Sequence, residues 1–229
     1  MSVVCEGMCN LKDDTDLRET MSQFIYASCD TLSKHIKEPL EETIQKIIET
    51  PLEYFLTIVD EGEIEYCCPR HIPQYSNMNS AIELEVNYLS ENGVCSLEEI
   101  GSILPRQVTD SVPAKIKYGE NHSKLLEIFG LALVENGFVQ LTEMGVCFSK
   151  LDVEQRMEYI KRSIFRAPII RNIIIKSKHQ RVSVKEELSL FLSDSTAKRR
   201  LANVYNLIKM LETTDQSELM KRLRNIDRQ

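Results

Sequence analysis

Apolar residues recur at three- and four-residue steps along most of the chain, and alternating runs are short and few. The pattern predicts a mainly α protein. From Asp16 to about Lys37, residues Leu17, Met21, Phe24, Ile25 and Cys29 share one side of a helix. Pro39 and Pro51 each suit the first turn of a further helix, where a missing N–H costs nothing. Leu40, Ile44, Ile47 and Ile48 form the apolar face of the first of these; Leu52, Phe55, Leu56 and Val59 form that of the second. Asp60-Glu61-Gly62 is a turn, EIEYCC (residues 63–68) suits a short strand, and residues 69–79 with two prolines suit a linker. The first dozen residues suit a loose tail.

Residues 78–150 carry three helical stripes and then a β element. Ile82, Val86 and Leu89 lie on a helix ending near Asn92-Gly93. Ser96-Leu97-Glu98-Glu99 is a capping box that opens a helix at about Leu97–Leu104, stopped by Pro105. A third helix starts near Asn121, carries Leu125, Leu126, Phe129 and Leu133, and ends at Asn136-Gly137. Phe138–Leu141 alternates as a short strand does, and Thr142–Gly145 turns the chain back. Lys115, Lys117 and Lys124 gather with Asn121 and His122 where the third helix begins. They are candidate phosphate contacts, diluted by Glu120; a solvated loop is the alternative.

In the last third, Glu154–Arg166 is helical with Met157, Ile160 and Ile164 on one face, and Pro168 restarts an isoleucine-rich helix. Residues 182–212 then suit a helix-turn-helix. Its first helix, about Val184–Leu192, has Val184, Leu188, Phe191 and Leu192 on one side, and Ser193-Asp194-Ser195 provides caps for the next. In the second helix Ala197, Leu201, Val204, Ile208 and Leu211 form one stripe. The opposite face holds Ser195, Lys198, Arg199, Ala202, Asn206 and Lys209, with Thr196 and Asn203 on the flanks and Arg200 at the stripe's edge. Arg and Lys suit phosphates or guanine, and Asn suits adenine. An ordinary solvated helix has the same pattern. The tail places Leu219, Leu223 and Ile226 on one side of a short helix and Lys221, Arg222, Arg224 and Arg228 elsewhere, which suits phosphate tracking or pairing with a second copy.

Charge separates the two readings of the long helix. The net charge is −7, but it is unevenly placed: residues 1–79 carry 6 Lys and Arg against 15 Asp and Glu, and residues 151–229 carry 17 against 10. An acidic part that meets proteins and a basic part that meets a polyanion are the expectation. No apolar run approaches the ~20 residues a bilayer requires, and no signal peptide is evident, so a cytoplasmic protein with reduced thiols and no membrane contact is expected. Cys5, Cys9, Cys67, Cys68 and His71 lack the spacing of a zinc knuckle, and incidental thiols are the favoured reading.

KYGENHSKLLEIFGLALVENGFVQLTEMGVCF followed by DSTAKRRLANVYNLIKML resembles the tandem winged-helix arrangement of bacterial restriction-modification and defence proteins. Leu141, Thr142, Glu143 and Gly145 carry the first motif; Ser195, Thr196, Ala197, Arg199 and Arg200 carry the second. The resemblance spans residues 78–212 and implies DNA binding, often beside a nuclease or ATPase.

The chain has no P-loop, no Asp or Glu two residues before a Lys, no H-E-x-x-H and no G-x-S-x-G, so a non-catalytic protein without metal or cofactor is expected. The expected architecture is an acidic helical head (1–77), a first winged-helix-like module (78–150) and a second, basic one (151–229), each with three helices and a short β-wing. The expected partner is double-stranded DNA, bound through Ser195, Thr196, Lys198, Arg199, Arg200, Asn203, Asn206, Lys115, Lys117 and Lys124. A partner protein or second copy is assigned to the head or the C-terminal helix, and a protein-binding scaffold is the alternative function.

Overall fold

The computed structural model describes residues 15–36, 38–75, 78–105, 111–213 and 216–229. The expected tail, with Cys5 and Cys9, lies outside them, as does Lys37. The described chain is mainly α, as the periodicity predicts.

The head holds α1 (Thr15–Tyr26), α2 (Leu32–His35), α3 (Leu40–Glu49) and α4 (Leu52–Glu61). The helix expected from Asp16 to about Lys37 stops at Tyr26, and a turn separates it from α2. Pro39 and Pro51 stand one position before α3 and α4, at their N-caps. EIEYCC forms no strand. Its backbone pairs instead with a buried side chain: Glu65 N–H donates to Asn172 Oδ1 at 2.9 Å, and Asn172 Nδ2 donates to the Glu65 carbonyl at 2.8 Å.

The middle of the chain runs α5 (Met78–Asn92), β1 (Cys95–Ser96), α6 (Leu97–Ile103), α7 (Val112–Ile128), β2 (Ala132–Glu135), β3 (Phe138–Leu141). The capping box at Ser96 forms as expected. Helix α7 starts nine residues before the expected Asn121, with Pro113 in its first turn. It ends at Ile128 with Phe129 as its C-cap, and Leu133 belongs to β2. Asn136 and Gly137 both have positive φ, 51° and 83°. They form the two-residue loop of a β-hairpin, not the end of a helix. The β2–β3 hairpin pairs Glu135 with Phe138 and Ala132 with Leu141, and β1 adds antiparallel to β3 with Cys95 opposite Val139. Helices α6 and α7 cross at two glycines. A Cβ on Gly101 would lie 1.9 Å from the Lys115 carbonyl oxygen, and one on Gly119 would lie 2.1 Å from that of Leu97.

Helices α8 (Glu143–Ser149) and α9 (Val153–Ser163) follow, capped by Thr142 and by an Asp152–Gln155 capping box. A 3-10 turn (Ile164–Arg166) leads to α10 (Pro168–Ser177). Then come β4 (Val182–Ser183), α11 (Val184–Ser189), α12 (Asp194–Met210), α13 (Glu218–Arg224) and β5 (Ile226–Asp227). The short β-wing expected here is absent among the described residues: β5 pairs parallel with β4, and α13 lies between them in sequence. The residues after Gly145 include no glycine to make a tight hairpin.

Buried apolar side chains from all three thirds form one contiguous core. At its centre Tyr159 packs edge-on against Phe24 of the head, Phe55 stacks on Phe165, and Tyr159 hydroxyl donates to the Phe129 carbonyl at 3.1 Å. The apolar side of α13, with Leu219 and Leu223, is covered by α4 and α10 of the same chain.

Candidate nucleic-acid interface on helix α12

Helix α12 buries Ala197, Val204, Leu207 and Ile208 against the core, and Leu201 is half-buried. This leaves Ser195, Lys198, Arg199, Asn206 and Lys209 exposed, with Ala202 and Thr196 half-exposed. After Asp194 the helix carries no acid through Leu211. Among the described residues no carboxylate pairs with Lys198 or Arg199. Arg199 Nη2 donates to Thr196 Oγ1 at 3.2 Å, one turn back, and Lys209 ammonium sits 5.3 Å over the Tyr205 ring. Beside the start of α12, exposed Tyr66 packs edge-on against Phe191, and exposed Leu190 lies next to it in sequence.

Arg200 and Asn203 point elsewhere. They hold the segment 69–75, which passes along the flank of α12 as a strap. Arg200 Nη1 donates to the carbonyls of Pro69 and Ile72. Asn203 Nδ2 donates to the Tyr75 carbonyl at 2.6 Å, and Tyr75 hydroxyl returns a bond to the Asn203 carbonyl at 2.9 Å. The expected linker is therefore a bound strap at these residues, and the Asn203 amide is already occupied.

Lys115 lies in the first turn of α7, Lys117 just beyond it and Lys124 in the second half of the helix. Lys117 and Lys124 share one carboxylate, that of Glu120. Their hydrogen bonds to it hold Glu120 below the usual carboxylate range. Lys115 is half-buried. Its backbone carbonyl is the group that approaches Gly101. Lys117, Lys124 and Arg200 are brought together around one cavity under the strap. Lys115, Lys198, Arg199 and Asn206 are outside it.

Much of the positive charge of residues 151–229 faces inward. Arg171, 3 % exposed, bonds Glu65 through Nε and Nη2 and gives Nη1 to the carbonyls of Phe165 and Arg166. Arg222, also 3 % exposed, grips Asp60, which Lys178 bonds as well. Arg166 bonds the carbonyls of Phe24, Ala27 and Ile128. Asp60, expected in a turn, and Glu65, expected in a short strand, are partners of buried arginines. The sequence signal for this was faint: acids at and after the end of α4, and Arg166 and Arg171 without an acid close by in sequence.

A larger cleft of about 600 Å³ is lined by Cys29, Glu65, Arg70, His71, Arg166 and Arg171 among others. It offers little chemistry. Arg166 and Arg171 have their donors engaged as above. Burial pushes the Cys29 thiol up to about 12, which leaves it protonated and unreactive. No group of three or more His, Cys, Asp or Glu among the described residues is placed to hold a metal ion. No helix among them is long and apolar enough to cross a membrane.

A family model described as a C-terminal AAA-associated domain matches residues 121–214, from the middle of α7 to just past α12. No curated protein and no solved structure matches the chain.

Proposed function

We propose that the protein binds double-stranded DNA non-catalytically through the exposed face of α12. The observation that carries this reading is that face itself: Lys198, Arg199, Asn206 and Lys209, free of carboxylates, on a chain of net charge −7. A solvated helix of an acidic protein ordinarily mixes signs. The small Ala202 at the middle of the face permits close approach to a groove. We take α10, α11 and α12 as a helix-turn-helix without a wing, and α5 to β3, in the order helix, strand, two helices and hairpin, as a winged helix. The resemblance to restriction-modification and defence proteins supports a role as a regulator or DNA-reading accessory in such a system.

The test is binding to a labelled random duplex across a salt series, with Lys198→Ala and Arg199→Ala. Each variant is expected to weaken binding, by about 1–3 kcal/mol for a base contact, while a lost phosphate contact lowers the salt slope by about 1. No binding of the wild type at ~50 mM salt would refute the reading.

The family description favours a second reading, in which residues 121–214 dock on an AAA-type ATPase. Here the same face, with Tyr66 and Leu190 beside it, meets protein. Binding to a purified AAA ATPase that Arg199→Ala abolishes, with no duplex binding, would establish it.

A further inference from the structure

The cavity under the strap lies on a different side of α12 from the exposed basic face. It measures about 300 Å³, at the lower end of the range for small-ligand sites. It is lined by residues of the strap, Arg70 among them, and by Lys117, Asn121, Lys124, Ile128 and Arg200. No carboxylate lines it. Acids reach three of the cations from outside: Glu120 serves Lys117 and Lys124, and Glu127 bonds Arg70. Four cations therefore share two carboxylates.

Arg200 is the uncompensated one. Its guanidinium is half-buried and fixed by the strap carbonyls of Pro69 and Ile72, which supply dipoles but no charge. Its Nε is buried and has no hydrogen-bond partner. A buried unmet donor costs about 1–3 kcal/mol, and native proteins leave few of them without a reason. A tetrahedral oxyanion bearing two charges would balance the excess of two cations, and a guanidinium is a strong partner for such a group.

We propose that this cavity binds a phosphate monoester, with Arg200 as the anchoring cation and Lys117 and Lys124 flanking the phosphate from α7. The site is independent of the DNA reading, since Lys198, Arg199 and Asn206 take no part in it. The monoester belongs either to a small phosphorylated metabolite or to the 5′ end of a DNA strand; both present the same dianion.

The experiment is calorimetric titration of the full chain with inorganic phosphate and with AMP at constant ionic strength, repeated on Lys117→Gln/Lys124→Gln and on Lys185→Gln. Lys117 is exposed and Lys124 half-buried, and neither holds the strap, so the double variant retains the fold; its melting curve checks this. Lys185 is an exposed lysine outside the cavity. Saturable phosphate binding is expected, weakened at least about tenfold in the double variant, the equivalent of one charged hydrogen bond, and unchanged in Lys185→Gln. Arg200→Lys, which keeps the charge but loses the guanidinium held by the strap, is expected to weaken binding as well. AMP binding at least as tightly as phosphate identifies a small-molecule source. A duplex preferred only when 5′-phosphorylated, with AMP weak, identifies a strand end. No saturable response to phosphate or AMP, or an equal response from the double variant, overturns the proposal.

Discussion

Arg199 and Arg200 are neighbours in sequence with different fates. A helix turns by about 100° per residue, so one step carries a side chain from open solvent to the flank where the strap runs. Arg199 contacts only its own helix, whereas Arg200 is fixed by backbone carbonyls more than 120 positions away. Glu85 shows the same dependence on place. It is 1 % exposed between α5 and α7, with Oε1 accepting from Ser123 hydroxyl at 2.5 Å and Oε2 unpartnered. Burial pushes it from 4.5 up to about 8. The folded protein thus keeps a proton that the unfolded chain has lost, and stability falls as pH rises through that interval. His122 moves the opposite way, pushed by burial from 6.5 down to about 4, so its contribution rises with pH only below 6.5. Between 6.5 and 8 Glu85 acts alone of the two. Urea denaturation should show stability declining across this window in the wild type and a flatter profile in Glu85→Gln. An identical decline in the variant would remove Glu85 as the cause.

At the scale of elements, the contact of α6 with α7 depends on missing side chains. Gly101 and Gly119 let backbone meet backbone, and α7 continues through Gly119 although glycine weakens a helix interior. Gly119→Ala should force the helices apart and destabilise the fold by about 1–3 kcal/mol, the usual cost of overpacking. A chemical-denaturation midpoint unchanged from the wild type would contradict the close approach. This crossing also explains the misplaced start of α7. Gly119 and the polar residues around it break the apolar stripe where the helix is packed by its backbone, so periodicity picked up the helix only from Asn121. At the other end, Asn136-Gly137 suits both a helix stop and a hairpin loop, and the pairing of β2 with β3 decides for the hairpin. The stripe of α12, by contrast, was legible because its burial follows a simple helical period. Only Leu207 was missed, and Leu201 lies partly exposed.

For the whole molecule, the uneven charge joins the ends of the chain. Asp60 and Glu65 belong to the acidic head, and Arg222, Lys178 and Arg171 belong to the basic third; they meet in the fold. Burial alone would raise the Asp60 pKa, but hydrogen bonds from Arg222 and Lys178 more than offset it and leave the group below its ordinary value. Its stabilising effect is therefore present at neutral pH and lost as acid protonates it. Arg222→Ala should cost about 3–5 kcal/mol, because it strands a partly buried carboxylate. In a double-mutant cycle with Asp60→Asn the two losses should be well short of additive. Additive losses would show that α13 is held to α4 by its apolar face alone.

The mainly α character, the cap at Ser96 and the buried and exposed sides of α12 were legible along the chain. These depend on helical period and on bonds between residues three or four apart. Which charges face water is set by the packing of the whole fold. Arg162, Arg166, Arg171 and Arg222 look in sequence like the lysines and arginines that remain exposed, but burying a cation requires acceptors that come from elsewhere in the chain. The strap over Arg200 and Asn203, and the cavity it makes with α7, likewise join residues separated by tens of positions. No periodicity records such a meeting, because it is set by how the helices pack and not by the order of residues along any one of them.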